Sequence, residues 1–144
     1  MLLLVRSNSI VSDSRTGKYI EFFNTKHIEH KILGWDRLSE NLRNVNTKYY
    51  RRKSAFNVGG LKATIGRLFW MLFVLKFLKK NKSDFNVIHG CDLDGVFPAI
   101  IFKILFNRRV KVIFDVFDWY SDTLYNQNYF IRLVFKFMEW LSIK

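Results

Sequence analysis

The chain has 144 residues, 49% of them hydrophobic and 17% aromatic, with a formal net charge of +12 at neutral pH. This length and apolar content exclude a disordered tail and fit one domain, or part of one, with a real core. The single cysteine, Cys91, excludes a disulfide framework and fits a reducing compartment.

Leu2 to Arg6 reads as a buried first strand, and Arg6 ends the apolar start too early for a secretory signal. Ser7 to Ser14 reads as a polar loop whose last residues can cap a helix over Arg15 to Thr25, with Tyr19, Phe22 and Phe23 inward. His30 to Gly34 is a second strand and Thr47 to Tyr50 a third. Asn57 to Gly60 breaks the chain before a helix over Leu61 to Lys80, in which Lys62, Arg67, Lys76, Lys79 and Lys80 bracket an apolar centre. The longest strongly apolar run, Leu68 to Leu75, is too short to span a bilayer, so a soluble or peripheral cytoplasmic protein is expected.

From Arg43 to Lys82 there are eleven Lys or Arg residues and no acid. A block of that kind fits a solvated face, an anionic lipid surface, a phosphorylated ligand or a nucleic acid. No helix-turn-helix or RNP-type pattern accompanies it, which leaves lipid as the better partner and argues against nucleic acid.

A strand from Phe85 to His89, a helix over Gly95 to Phe106, and a strand from Val110 to Asp115 form a βαβ unit. A last helix follows from about Asn128 to Ser142, with Arg132, Lys136 and Glu139 as its polar stripe. The alternation predicts an α/β fold, a Rossmann-like doubly wound parallel sheet. So apolar a final helix needs a further element to cover it, so the domain is expected to be cut short at Lys144.

The two βαβ strands end on one rim, where Asp92, Asp94, Asp115, Asp118 and Asp122 gather in a basic protein. Open α/β sheets bind ligands at that rim. Asp92 and Asp94 also fit helix N-caps. Asp115 and Asp118, beside Phe117, Trp119 and Tyr120, fit general base work, because an acid among aromatics must be paired or have its pKa raised. His89 closes its strand as a structural hydrogen-bonder or a rim residue. His27 and His30 lack further ligands nearby, and His89 with Cys91 lacks zinc spacing, so no metal is expected. Ser7-Asn8-Ser9 could offer amides to an anion but lacks a Gly-rich pattern, and no Gly-x-Ser-x-Gly is present.

The stretch from Val87 to Ala99, VIHGCDLDGVFPA, resembles the D-V-I-H-A-x-D-x-D-x-x-x-P-A segment of family 4 glycosyltransferases. VIFDVFDWYSD, Val112 to Asp122, resembles their V-Y-D-x-x-D-x-Y segment, and LLLVRSNSIVSDSR is similar to their first strand and loop. Gly34-Trp35-Asp36-Arg37 is similar to the end of their second strand. The resemblance implies that residues 1–144 are the N-terminal, acceptor-side domain of a GT-B enzyme, whose donor-binding C-terminal domain is absent from this sequence. It further implies a nucleotide-sugar donor as co-substrate, a lipid-linked glycan acceptor, surface polysaccharide synthesis at the inner membrane face, and no bound metal or other cofactor.

On that basis Asp118 and Asp115 are expected to orient or deprotonate the acceptor, with His89, Asp92, Asp94, Trp119 and Tyr120 around it. Arg6, Ser7, Asn8 and Ser9 are expected near donor phosphate. Arg51, Arg52, Lys53, Lys62, Arg67 and Trp70, with Phe69 and Phe73, are expected to face the membrane. Many members carry His where this chain has Phe117, so that role does not transfer. Two readings stay open: half of an enzyme completed by a donor domain beyond Lys144 or on a separate chain, or a non-catalytic remnant or membrane-associated partner subunit.

Overall fold

The computed structural model describes residues 1–10, 13–53, 61–123 and 129–143. Its elements in chain order are β1 (Leu2–Arg6), α1 (Ser14–Thr25), β2 (His30–Asp36), β3 (Thr47–Arg51) and α2 (Leu61–Lys80), followed by β4 (Val87–Cys91), α3 (Leu93–Leu105), β5 (Lys111–Asp115), α4 (Tyr120–Thr123) and α5 (Tyr129–Ile143). The strands form one all-parallel, Rossmann-like sheet in the order β3-β2-β1-β4-β5. The expected break at Asn57 to Gly60 lies outside the described residues, as does Asn128 at the start of the last helix.

Central β1 shows why the sheet needs cover on both faces. Leu3 and Val5 enter a core shared with α2, α3 and α5, while Leu4 enters a second core with Phe23, Tyr19 and Ile20 of α1. Both faces are therefore buried, and the strand reads as an unbroken apolar run. In α1 the expected inner face is corrected at Phe22, which is half exposed. It sits about 100° round the helix from buried Phe23, past the edge of the sheet contact.

β2 runs two residues further than the sequence suggests, because Trp35 and Asp36 are buried members of the strand. The Trp35 indole N–H donates to the Arg52 carbonyl at 2.8 Å. The Asp36 carboxylate accepts the Glu40 and Leu42 amides at 3.0 and 3.4 Å. These bonds hold residues 37–46, which cross from β2 to its parallel neighbour β3 without a helix. In α2, Trp70, Met71, Val74 and Leu78 recur at helical spacing and fill the larger core.

α3 lies close against β4 because two glycines face each other. A Cβ added at Gly90 would lie 2.7 Å from both the Val96 nitrogen and its Cα, and one at Gly95 would lie 3.0 Å from the Val5 carbonyl. Gly90→Ala must lift the helix off the sheet and is expected to cost about 2–3 kcal/mol. Gly17→Ala, on the exposed side of α1 with nothing within 4 Å, should instead stabilise by about 0.5–1 kcal/mol. Urea denaturation of the two variants checks the contrast; equal effects would contradict the packing.

The polar stripe expected on the last helix is also corrected. Glu139 is buried with Phe135 and Met138, while Phe130, Leu133, Phe137 and Trp140 are exposed. The face that α5 turns to α3 and α4 is thus not its most apolar one. Among the described residues no helix is long and apolar enough to cross a membrane.

Candidate functional site

The strand order reverses between β1 and β4: β1 leads through α1 to β2 on one side, and β4 leads through α3 to β5 on the other. The crevice at their carboxyl ends is the switch point where such sheets take ligands. Arg6 ends β1 there. Its Nε donates to Asp13 Oδ2 at 2.6 Å and its Nη1 to Asp92 Oδ2. Burial pulls the Arg6 pKa down, but the charges of Asp92 and Asp13 outweigh it and leave it raised. Arg6 and Arg15 both lie over the Phe117 ring, at 4.1 and 3.8 Å from its centroid. A phosphate reaching this loop would meet an Arg6 already engaged by two carboxylates. Ser7 is buried, and the Ser9 amide is taken by Asn8 Oδ1 at 2.9 Å, so the loop is tied to itself.

Asp13 earns its place twice, as the N-cap of α1 accepting the Arg15 and Thr16 amides at 3.2 and 3.1 Å, and as the partner of Arg6. Burial raises its pKa, but the Thr16 amide and Arg6 prevail and hold it below the usual carboxylate value.

Asp92 is the hinge of the rim. Its backbone sits at φ 61°, ψ 172°, a region populated almost only by glycine. Its amide donates to the Asp115 carbonyl at 2.9 Å, and its carbonyl accepts the Gly95 and Val96 amides. Its Oδ1 accepts the Phe117 and Asp118 amides at 2.9 and 3.1 Å. The expected N-cap role is corrected: Asp92 stands at the cap position of α3, but its carboxylate makes no capping bond. Burial and the charge of Asp94 raise its pKa, against Arg6 and the two amides.

Asp94 is likewise corrected. It is fully buried in the first turn of α3, and neither oxygen has a hydrogen-bond partner among the described residues. Its charge acts on half-buried Arg37, whose pKa burial lowers against the opposing pull of Asp94. Tyr120 is buried too, against Phe135 and under Arg67. Burial, then Asp94, raises its phenol pKa well above the ordinary value. Neither side chain is placed to touch an acceptor. Asp118 and Trp119 are: both are exposed at the rim. Asp118 is therefore not enclosed by its aromatic neighbours, contrary to expectation.

His89 and Asp115 meet Tyr19, which sequence spacing had not linked to them. The Tyr19 hydroxyl donates to Asp115 Oδ2 at 2.6 Å, and its ring lies 4.8 Å from that of His89. The bond to Asp115, then burial, pushes the Tyr19 phenol up to about 12. His89 Nε2 is 3.6 Å from the same carboxylate oxygen. Beside them lies buried Cys91, whose thiol pKa is raised chiefly by burial. Donor atoms of His89, Cys91 and Asp115 all lie within 4.8 Å of one another.

Burial holds His89 below its ordinary value of 6.5, although Asp115 pulls it up. As pH falls through 6.5, the unfolded chain takes up a proton that the folded one resists, so stability declines. His89→Gln is expected to flatten that decline on the acid side of pH 6.5. Denaturation midpoints across the window check it, and an unchanged slope would contradict it.

On the far side of the sheet, Arg51, Arg52, Lys53 and Lys62 are exposed. Arg52 lies 4.2 Å over the ring of exposed Phe69, whereas Arg67 is half-buried over Tyr120. Trp70 corrects its expected membrane-facing role: it is completely buried, stacked on Trp35 at 5.8 Å and 13°. The outer face of α2 is instead Ile65, Leu68, Phe69 and Leu72.

Comparison with protein-family models, with curated proteins and with solved structures finds no match to this chain.

Proposed function

We propose that the chain is the acceptor-side domain of a GT-B glycosyltransferase resembling family 4. It would work on the cytoplasmic face of a membrane, moving a sugar from a nucleotide-sugar to a lipid-linked glycan in surface polysaccharide assembly. The observation that carries this reading is the placing of Asp118. An exposed carboxylate stands at the switch-point rim with its amide fixed by Asp92, inside the segment that resembles the family. A carboxylate so held can orient an acceptor hydroxyl and take its proton, and the exposed ring of Trp119 offers a sugar a stacking surface. Asp115 supports the rim from behind through Tyr19 rather than presenting a free base. The nucleotide-sugar would be held by a second domain.

The cations Arg51, Arg52, Lys53 and Lys62 would hold the domain to anionic lipid at about 1 kcal/mol each, with Ile65, Leu68, Phe69 and Leu72 at the interface. A second reading, a non-catalytic membrane-associated partner, is favoured by two features. Arg6 is engaged by carboxylates, and Phe117 stands where the family often has histidine.

Hydrogen exchange of the chain with anionic vesicles, with and without prenyl-phosphate-linked saccharides from bacterial membranes, separates these readings. Saccharide-dependent protection at Phe117 to Trp119 is the expected result. Protection confined to β3 and α2 would favour the second reading and remove the first.

A further inference from the structure

We infer that His89, Cys91 and Asp115 form a binding site for one zinc-class divalent metal ion on the α1-facing side of the β4–β5 pair. The site goes beyond the glycosyltransferase reading and does not depend on it, since Asp118 takes no part. It also departs from the metal-free chemistry that the family resemblance implies.

Its geometry follows from the sheet. His89 and Cys91 are two residues apart on β4 and point to one face, and parallel register sets Asp115 directly beside Cys91. The imidazole nitrogen, the sulfur and a carboxylate oxygen lie within 4.8 Å of one another. Tetrahedral ligands of zinc stand roughly 3.3–3.8 Å apart, given bond lengths of about 2.0–2.3 Å. About 1 Å of closure through side-chain torsions would therefore complete the site.

Two further observations point to a cation. Among the described residues, buried His89 Nε2 has no partner at hydrogen-bonding distance, the Asp115 carboxylate oxygen standing too far off at 3.6 Å. Buried polar atoms rarely go unpartnered. Asp115 already has the outer support usual for a ligating carboxylate, the Tyr19 hydroxyl at 2.6 Å. Around the site Asp13 and Asp92 balance Arg6 and Arg15, so the charge of Asp115 is left to meet a cation.

Mixed sulfur, nitrogen and oxygen donors suit zinc better than magnesium or calcium. Binding would displace the Cys91 thiol proton to solvent, one per ion, leaving a thiolate–metal bond. Three protein ligands leave a fourth position for water or for an atom of a bound molecule.

The test uses the 144-residue chain free of any histidine tag, stripped with chelator and titrated with cobalt(II) chloride alone. Because Cys91 is the sole cysteine, a sulfur-to-cobalt charge-transfer band can arise only there. The expected result is that band at one ion per chain, bleached by an equivalent of zinc. It should be lost in Cys91→Ala, weakened more than about tenfold in His89→Gln, and unchanged in His27→Gln. Circular dichroism establishes that the variants are folded, and the wild-type band is decisive if one is not. Cobalt bound without the band, as at His27 and His30, or no cobalt bound at all, would overturn the proposal. So would affinity unchanged in both folded site variants.

Discussion

Asp92→Ala is expected to destabilise the chain by about 3–5 kcal/mol, the usual cost of removing one partner of a buried ion pair. Two losses coincide. Arg6 loses one of its two carboxylates, and the Phe117 and Asp118 amides lose their acceptor, while alanine, like aspartate, must still occupy φ 61°. Asn and Gly variants separate the terms. Asn keeps an acceptor for the amides without the charge, so it should cost least. Gly removes the backbone strain, worth about 1–3 kcal/mol, but also the side chain, so it should fall between Asn and Ala. Chemical denaturation gives the order. A loss below about 1 kcal/mol for Ala would mean that Asp92 does not hold the rim together.

Trp70→Ala should cost a similar amount, about 3–5 kcal/mol. The ring has no exposed surface and packs on Trp35, Tyr50 and Phe73, with centroids 5.8, 6.0 and 5.9 Å away. Its indole N–H finds no acceptor among the described residues, so Trp70→Phe, which removes that unsatisfied donor, should cost much less. The variant also separates packing from membrane contact. Phe69→Ala, at an exposed position on the same helix, should weaken binding to anionic vesicles with little change in stability. The reverse pattern, vesicle binding lost at Trp70 and stability lost at Phe69, would contradict the orientation of α2.

Why the sequence misplaces Trp70 is instructive. α2 is apolar around most of its circumference, so spacing gives no preferred face, and the choice is made by what β2 and β3 offer opposite. α5 deceives in another way, since Glu139 goes inward while Phe137 and Trp140 stay out. All five strands were legible, because each is a short apolar or aromatic run bounded by polar residues or glycine. The hidden extension of β2 depended on Asp36 finding amides in the following loop.

At the rim, the gathering of acids followed from the βαβ pattern alone. Their partners did not. Asp115 meets Tyr19 across 96 positions of sequence, and Asp92 meets Arg6 across 86. The roles of Asp92 and Asp94 turn on a single backbone conformation. With Asp92 at positive φ, its carboxylate faces β1 and the loop after β5, while Asp94 turns into the core.

The central claim is sugar transfer, and its most direct measurement is incorporation of label from a panel of radiolabelled nucleotide-sugars into lipid-linked glycan. The membranes come from cells with the gene intact, deleted, or carrying Asp118→Asn. One donor should label the lipid fraction only when the gene is intact, with Asp118→Asn reducing the rate by roughly 100-fold, as loss of a general base does. Equal labelling in intact and deleted cells for every donor would contradict the claim, and full activity in Asp118→Asn would remove that carboxylate from the chemistry.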